Sequence, residues 1–255
     1  MNNHIFLFLS LALLSFSCKN DKKLLNKDLE KPASSWLLGF QKTELNPIMQ
    51  PDSTYTFLDP ISKNEVRWQK ADVFNPGAIV KNDTVFLLFR AEDNPDAILG
   101  ERTSRIGLAF STDGIHFSKY EKPVLFPDND EFAKWDQPGG VEDPRIVETP
   151  EGTYIMLYTS WNNDVARLSS ATSKDLKTWI KAGPVFENAY EGKFLNEWSK
   201  SGSIVTELVN GRLIAKKING KYLMYWGELF VNLATSENGV DWQPSLNDKG
   251  DLNPL

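Results

Sequence analysis

Ile106-Gly-Leu-Ala-Phe-Ser-Thr-Asp-Gly-Ile-His-Phe117, Leu168-Ser-Ser-Ala-Thr-Ser-Lys-Asp-Leu-Lys-Thr-Trp179 and Val231-Asn-Leu-Ala-Thr-Ser-Glu-Asn-Gly-Val-Asp-Trp242 are three copies of one pattern. In each, an apolar strand closes on Ala-x-Ser, a polar tight turn follows, and an aromatic residue comes next. Ala109, Ala171 and Ala234 mark equivalent points, 62 and 63 residues apart. A fixed long period is the signature of a chain assembled from repeated supersecondary units.

Working outward, a second shared pattern precedes each copy, at Asn75 to Asp93, Glu142 to Asn162 and Lys200 to Glu228. It reads as a polar-Pro or polar-Gly turn, a short apolar strand, a turn and another apolar strand. The runs Val85 to Phe89, Tyr154 to Tyr158 and Tyr222 to Trp226 are rich in β-formers and bounded by Gly, Asn and Asp. Each unit therefore predicts four antiparallel strands, and the fold class is all-β, built from β-propeller-type blades whose inner strands face an axial channel. A closed propeller needs at least about four blades, and only three units are clear. Residues 24–70 carry Pro32, Pro47, Pro51 and Pro60 and a poor strand signal. The expectation is a polypeptide that stops before the ring closes, with about three to four blades present.

The chain has 255 residues, 41% hydrophobic and 24% charged, which is a globular composition. Its net charge of -6 argues against nucleic acid as a partner, because phosphate binding needs a basic stripe. The 8 Trp, 7 Tyr and 15 Phe serve either as core or as platforms for sugar faces. With no Cys/His set and no phosphate-cradling Gly-rich loop, no metal and no cofactor is expected. At the N-terminus, Ile5 to Phe16 is an apolar run too short to span a bilayer, ending in Leu14-Ser-Phe-Ser-Cys18 at the chain's single cysteine. That resembles a bacterial lipoprotein signal. The domains expected are a signal peptide at 1–18, a polar tether at 19–35 and a propeller domain at 36–255, exported and held at the bacterial membrane by lipid on Cys18.

Lining up the inner-strand starts brings Asn75-Pro-Gly-Ala78, Glu142-Asp-Pro-Arg145 and Lys200-Ser-Gly-Ser203 to equivalent positions around the axis. The ends of the second strands add Arg90-Ala-Glu-Asp93, Ser160-Trp161-Asn162 and Gly227-Glu228. A mouth rich in Asp, Glu, Asn and Arg and framed by Trp suits a neutral polyol. Glycosidase chemistry needs two carboxyl functions on opposite sides of the scissile bond, and Asp143 and Glu228 lie on different units. The same acids could equally bridge blades or cap turns. Lys200 could anchor a hydroxyl or stay a solvated charge. Ser111-Thr-Asp-Gly114 and its two cousins read as structural turns.

Phe74-Asn-Pro-Gly-Ala78, Phe89-Arg-Ala-Glu-Asp93, Gly139-Gly-Val-Glu-Asp-Pro-Arg-Ile146, Tyr158-Thr-Ser160 and Ile218-Asn-Gly-Lys-Tyr-Leu-Met224, in this order, resemble glycoside hydrolase family 130. The resemblance covers roughly residues 70–245, and Glu-Asp-Pro-Arg with its flanking glycines is its most specific element. It implies a five-bladed propeller acting on β-mannosides. It also implies that Asp143 is the proton donor, acting through a sugar hydroxyl, and that Asn75, Arg90 and Asp93 hold sugar. The substrate-binding set is completed by Glu142, Arg145, Ser160, Trp161, Asn162 and Lys200.

The family resembled contains phosphorylases and inverting hydrolases. Phosphate would need a cluster of cationic or strong donor groups. His4 lies in the leader, His116 in a turn, and Lys200 stands without a basic pair. The hydrolase branch, similar to exported β-1,2-mannosidases, fits better. There the candidate bases are two glutamates, one matching Glu228 and one that would lie beyond Leu255. The alternatives are a β-mannoside phosphorylase and a non-catalytic glycan-binding propeller, with a fructan- or arabinan-cleaving propeller a distant fourth.

Overall fold

The computed structural model describes residues 42–98 and 101–255; the leader, Cys18 and the tether lie outside the described residues. A short antiparallel hairpin, Phe57–Leu58 (β1) with Glu65–Val66 (β2), comes first. Three antiparallel units follow, nearly all β. The first consists of Asp72–Lys81 (β3), Thr84–Glu92 (β4), Ser104–Ser111 (β5) and Ser118–Lys119 (β6), paired in that order. The second is Gly140–Glu148 (β7), Tyr154–Trp161 (β8), Ala166–Ser173 (β9) and Ile180–Pro184 (β10), with the one-turn helix Ala133–Asp136 ahead of it.

The third unit repeats the plan with an interruption. Its inner strand is split into Ser203–Ile204 (β11) and Lys217–Ile218 (β14), both paired with Lys221–Trp226 (β15). Between the two pieces a hairpin is inserted, Thr206–Val209 (β12) with Arg212–Ala215 (β13), and Ile214 touches Glu148 of β7 in parallel register. Asn232–Ser236 (β16) and Gln243–Pro244 (β17) complete the unit. The insertion accounts for the greater length of the Lys200 to Glu228 copy.

Side-chain alternation places the core. Along β4, Leu87, Phe89 and Ala91 pack towards the first hairpin with Phe57 and Trp68, whereas Leu88 packs with Ile106, Val141, Met156 and Tyr158 between the first and second units. Along β8, Tyr154, Met156 and Tyr158 join that second cluster, and Ile155 and Leu157 turn the other way to meet Met224, Trp226 and Trp242. The central strands β4 and β8 of the first two units are thus buried on both faces and read as unbroken apolar runs, whereas β15 of the third unit alternates, with Tyr225 exposed.

The repeated turns share one hydrogen-bond plan. Asp113 Oδ1 accepts from the N–H groups of Ile115 and His116 at 2.9 and 2.8 Å, and Asp175 Oδ1 from Lys177 and Thr178, both at 2.8 Å. Asn238 Oδ1 does the same for Val240 and Asp241, both at 2.9 Å. Short polar side chains that imitate a backbone acceptor are what such turns require.

Candidate active site

The site begins with a backbone irregularity shared by the inner strands of the first two units. In β3 the pairing register jumps between Phe74 and Gly77, and in β7 between Glu142 and Arg145. Asn75-Pro76 and Asp143-Pro144 are therefore bulges, where a proline costs no ladder hydrogen bond. Asn75, Asp143 and, ahead of β11, Ser201 have φ of 47°, 50° and 56°. Asn and Asp tolerate this left-handed region better than most residues. Asn75 and Asp143 are thereby lifted out of the strand alternation, and Ser201 takes the same backbone turn just ahead of β11.

The glycine pair ahead of Glu142 brings two units into contact. Gly140 pairs with Ser104 in parallel register, and the Ser104 N–H donates to Gly139 at 2.8 Å. A Cβ on Gly140, whose φ is +104°, would stand 2.1 Å from the Ser104 carbonyl oxygen; one on Gly139 would stand 2.0 Å from the Trp161 ring. Only glycine lets β7 reach β5 here, and that approach sets Glu142 and Asp143 beside Arg90.

Arg90 is the hub. It is 7% exposed, its guanidinium faces the Phe74 ring at 4.7 Å, and its Nε donates to Ser104 Oγ at 2.9 Å. Its Nη2 reaches Glu92 at 2.6 Å and Glu142 at 2.8 Å, and its Nη1 reaches Asp143 Oδ1 at 3.2 Å. Asn75 Nδ2 donates to that same Asp143 Oδ1 at 2.8 Å. From the third unit, Lys200 Nζ stands 3.6 Å from Glu142. Burial pushes the Glu142 carboxyl above its ordinary value, against the pull of Arg90 and Lys200. A cavity of about 460 Å³ runs beside the cluster, lined by Asn75, Arg145 and Ser203 of three inner strands.

These groups can hold a polyol and pass a proton, and the comparisons with known proteins give them a context. The sequence profile of glycoside hydrolase family 130, described as "beta-1,4-mannooligosaccharide phosphorylase", matches residues 40–252. The chain belongs to glycoside hydrolase family 130. A 1,2-β-oligomannan phosphorylase of Thermoanaerobacter sp. (strain X514) is 38% identical over 171 residues, 66% of this chain and 49% of that protein. A glycosyl hydrolase from Bacteroides ovatus is 47% identical with a TM-score of 0.82, over 84% of this chain and 59% of that one. Another solved structure, 48% identical with a TM-score of 0.82 over 84% and 60%, carries the description "The GH130 family of mannoside phosphorylases contains glycoside hydrolases that target beta-1,2 mannosidic linkages in Candida mannan". The chain spans about half the length of the curated relatives it matches.

Within this family 130 chain, the structure brings Asn75, Arg90, Glu142, Asp143 and Lys200 into one cluster, with Arg145 on the adjoining cavity. Other residues named from the sequence sit elsewhere. Asp93, just past the end of β4, turns away from Arg90 and pairs with Arg105 at 2.6 Å, which also holds Asp59 at 2.7 Å. Ser160 is buried and donates to Ser169 at 2.8 Å. Asn162 Oδ1 caps a turn by accepting from Asp164 and Val165. Trp161 meets Trp198 edge-on at 5.5 Å, and Trp198 is half exposed. Glu228 is exposed in the turn after β15, and the neighbouring Gly227 N–H donates to the Lys200 carbonyl at 2.9 Å, tying that turn to the Lys200 loop. Glu92, part of the Arg90–Asp93 stretch but not among the residues singled out from the sequence, and Ser104 hold Arg90 in place. The signal was present in Arg90-Ala-Glu92, since residues two apart in a strand share a face.

Proposed function

We propose that this chain serves a β-mannoside-cleaving enzyme that acts by hydrolysis with inversion at β-1,2 linkages, its three units being blades of a five-bladed propeller. The observation that carries the reading is the hydrogen bonding of Asp143. Two donors, Asn75 and Arg90, converge on Oδ1, and Oδ2 takes none among the described residues on a carboxyl 19% exposed. Oδ2 is thus the oxygen free to give a proton, through a sugar hydroxyl, to the departing glycosidic oxygen. As that C–O bond breaks, a water oxygen bonds to the anomeric carbon from the other face and its proton passes to a base, Glu228. Asn75, Lys200 and Arg145 contact sugar hydroxyls. Asp143→Asn removes the proton and keeps the shape. It is expected to lower turnover of β-1,2-mannobiose by at least about 10²-fold with sugar affinity nearly unchanged by calorimetry; retained turnover would take Asp143 out of this role.

Hydrolysis is supported by the greater identity to the hydrolase-described structures, 47% and 48%, than to the curated phosphorylases, 38% and 33%. The buried carboxylates of Glu92 and Glu142 beside Asp143 also disfavour a phosphate dianion. Phosphorolysis is the second reading, favoured by the names of those curated relatives and by the cations Lys200, beside Glu142, and Arg145, on the cavity. In the same proposal the chain is exported and anchored through lipid on Cys18. Acyl labelling of the expressed protein should be lost in Cys18→Ala, and labelling that persists would refute the anchor.

A further inference from the structure

We infer that Glu92 is a positioning residue that holds the Arg90 guanidinium in register against Asp143. The inference rests on the proposed reading of Asp143 as the proton donor, and it concerns a residue that contacts no substrate. Arg90 and Glu92 are two apart on β4 and share a face. Glu92 is fully buried. Its Oε1 accepts from Arg90 Nη2 at 2.6 Å and from Ser104 Oγ at 3.2 Å, and its Oε2 takes Arg102 Nη1 at 3.2 Å. Arg102 is anchored in turn, donating from Nε to the Ala97 carbonyl at 3.0 Å and pairing with Asp72.

The donor count makes the dependence explicit. A guanidinium has five N–H groups in a fixed planar fork. Arg90 spends Nε–H on Ser104, an Nη2 hydrogen on Glu92 and an Nη1 hydrogen on Asp143, and its Nη2 also forms an ion pair with Glu142 at 2.8 Å. The Asp143 contact, at 3.2 Å, is the longest of the four, so its geometry follows from the other three. Ser104 and Glu92 fix the inner edge of the fork. Without the Glu92 charge, Nη2 is left with Glu142 alone, a residue on the other unit, and the plane can rotate away from Oδ1. Besides burial, the groups facing Glu142 are Arg90 and Lys200, which pull its carboxyl down, and Asp143 and then Glu92, which push it up. Removing the Glu92 charge should therefore lower the Glu142 titration midpoint.

The test compares Glu92→Gln with Glu148→Gln, an isosteric change at another buried, arginine-paired glutamate that sits at the far end of β7 and pairs with Arg212. Three quantities are measured: the NMR signals of the Arg90 guanidinium hydrogens, the carboxyl titration of Glu142, and kcat and KM on β-1,2-mannobiose. In Glu92→Gln the separate Arg90 Nη signals are expected to merge as the group rotates and the Glu142 midpoint to fall. A displaced contact at the reacting group costs roughly 10- to 100-fold in kcat, with KM within about twofold. Glu148→Gln should lose stability and leave all three unchanged. Glu92→Asp keeps the charge at shorter reach, gives an intermediate loss and serves if Glu92→Gln does not fold. Wild-type Arg90 signals and Glu142 midpoint in Glu92→Gln, or the same changes in Glu148→Gln, would overturn the inference. If the wild-type chain cleaves nothing, the reading of the function fails, and the Arg90 signals still decide the role of Glu92.

Discussion

Gly140 shows how one residue with no side chain governs the chemistry of its neighbours. Its contact with Ser104 leaves no room for a Cβ, and its φ of +104° is one that L side chains rarely adopt. Gly140→Ala must push β7 away from β5, at a cost of roughly 2–5 kcal/mol from strain and overpacking together. Urea unfolding should show that loss. Because the same contact sets Glu142 and Asp143 beside Arg90, activity should fall further than the unfolded fraction explains. A variant as stable and active as the wild type would break the link between the glycine pair and the site. At this scale the sequence was legible where chemistry is local. Asn75, Glu142, Asp143 and Lys200 could be placed together from aligned strand starts alone. Asp93 and Ser160 could not, because they turn towards Arg105 and Ser169, and which face meets which unit is decided only by packing.

The repeated turns are natural replicas with one built-in control. The His116 side chain and the backbone N–H groups of His116 and Ile115 hold the Asp113 carboxyl below its ordinary 3.8, and the Thr178 N–H does the same for Asp175. A carboxyl whose pKa is depressed by folding contributes stability above its unfolded value, and that contribution is lost as the pH falls through the folded value. The third turn uses Asn238, which does not titrate. Amide hydrogen exchange followed below pH 3.8 should therefore show protection falling at His116 and Thr178 and holding at Asp241 relative to its value at neutral pH. Equal loss at all three turns would mean that the carboxylates are not what holds the first two. The turns, and the strands around them, were readable because their period repeats. The hairpin inserted between β11 and β14 was not, since Asn210-Gly211 signals a tight turn but nothing local says that this hairpin interrupts the inner strand.

Across the molecule, three shared cores join the first hairpin and the three units in succession, so each unit is stable only against its neighbours. The all-β class and the unit plan follow from repeats visible in the sequence. The number of blades and the closure of a ring do not, because edge closure is a property of the assembled sheets and no single stretch encodes it. The candidate active-site cluster is likewise a product of assembly: the first unit supplies Asn75 and Arg90, the second Glu142 and Asp143, the third Lys200. The central claim, that this cluster cleaves β-1,2-mannosides with water, is tested most directly by following β-1,2-mannobiose with the chain by proton NMR, with and without inorganic phosphate. The account predicts mannose alone, released first as the inverted α-anomer and at a rate independent of phosphate. Mannose 1-phosphate formed only when phosphate is present, or no cleavage under either condition, would contradict it.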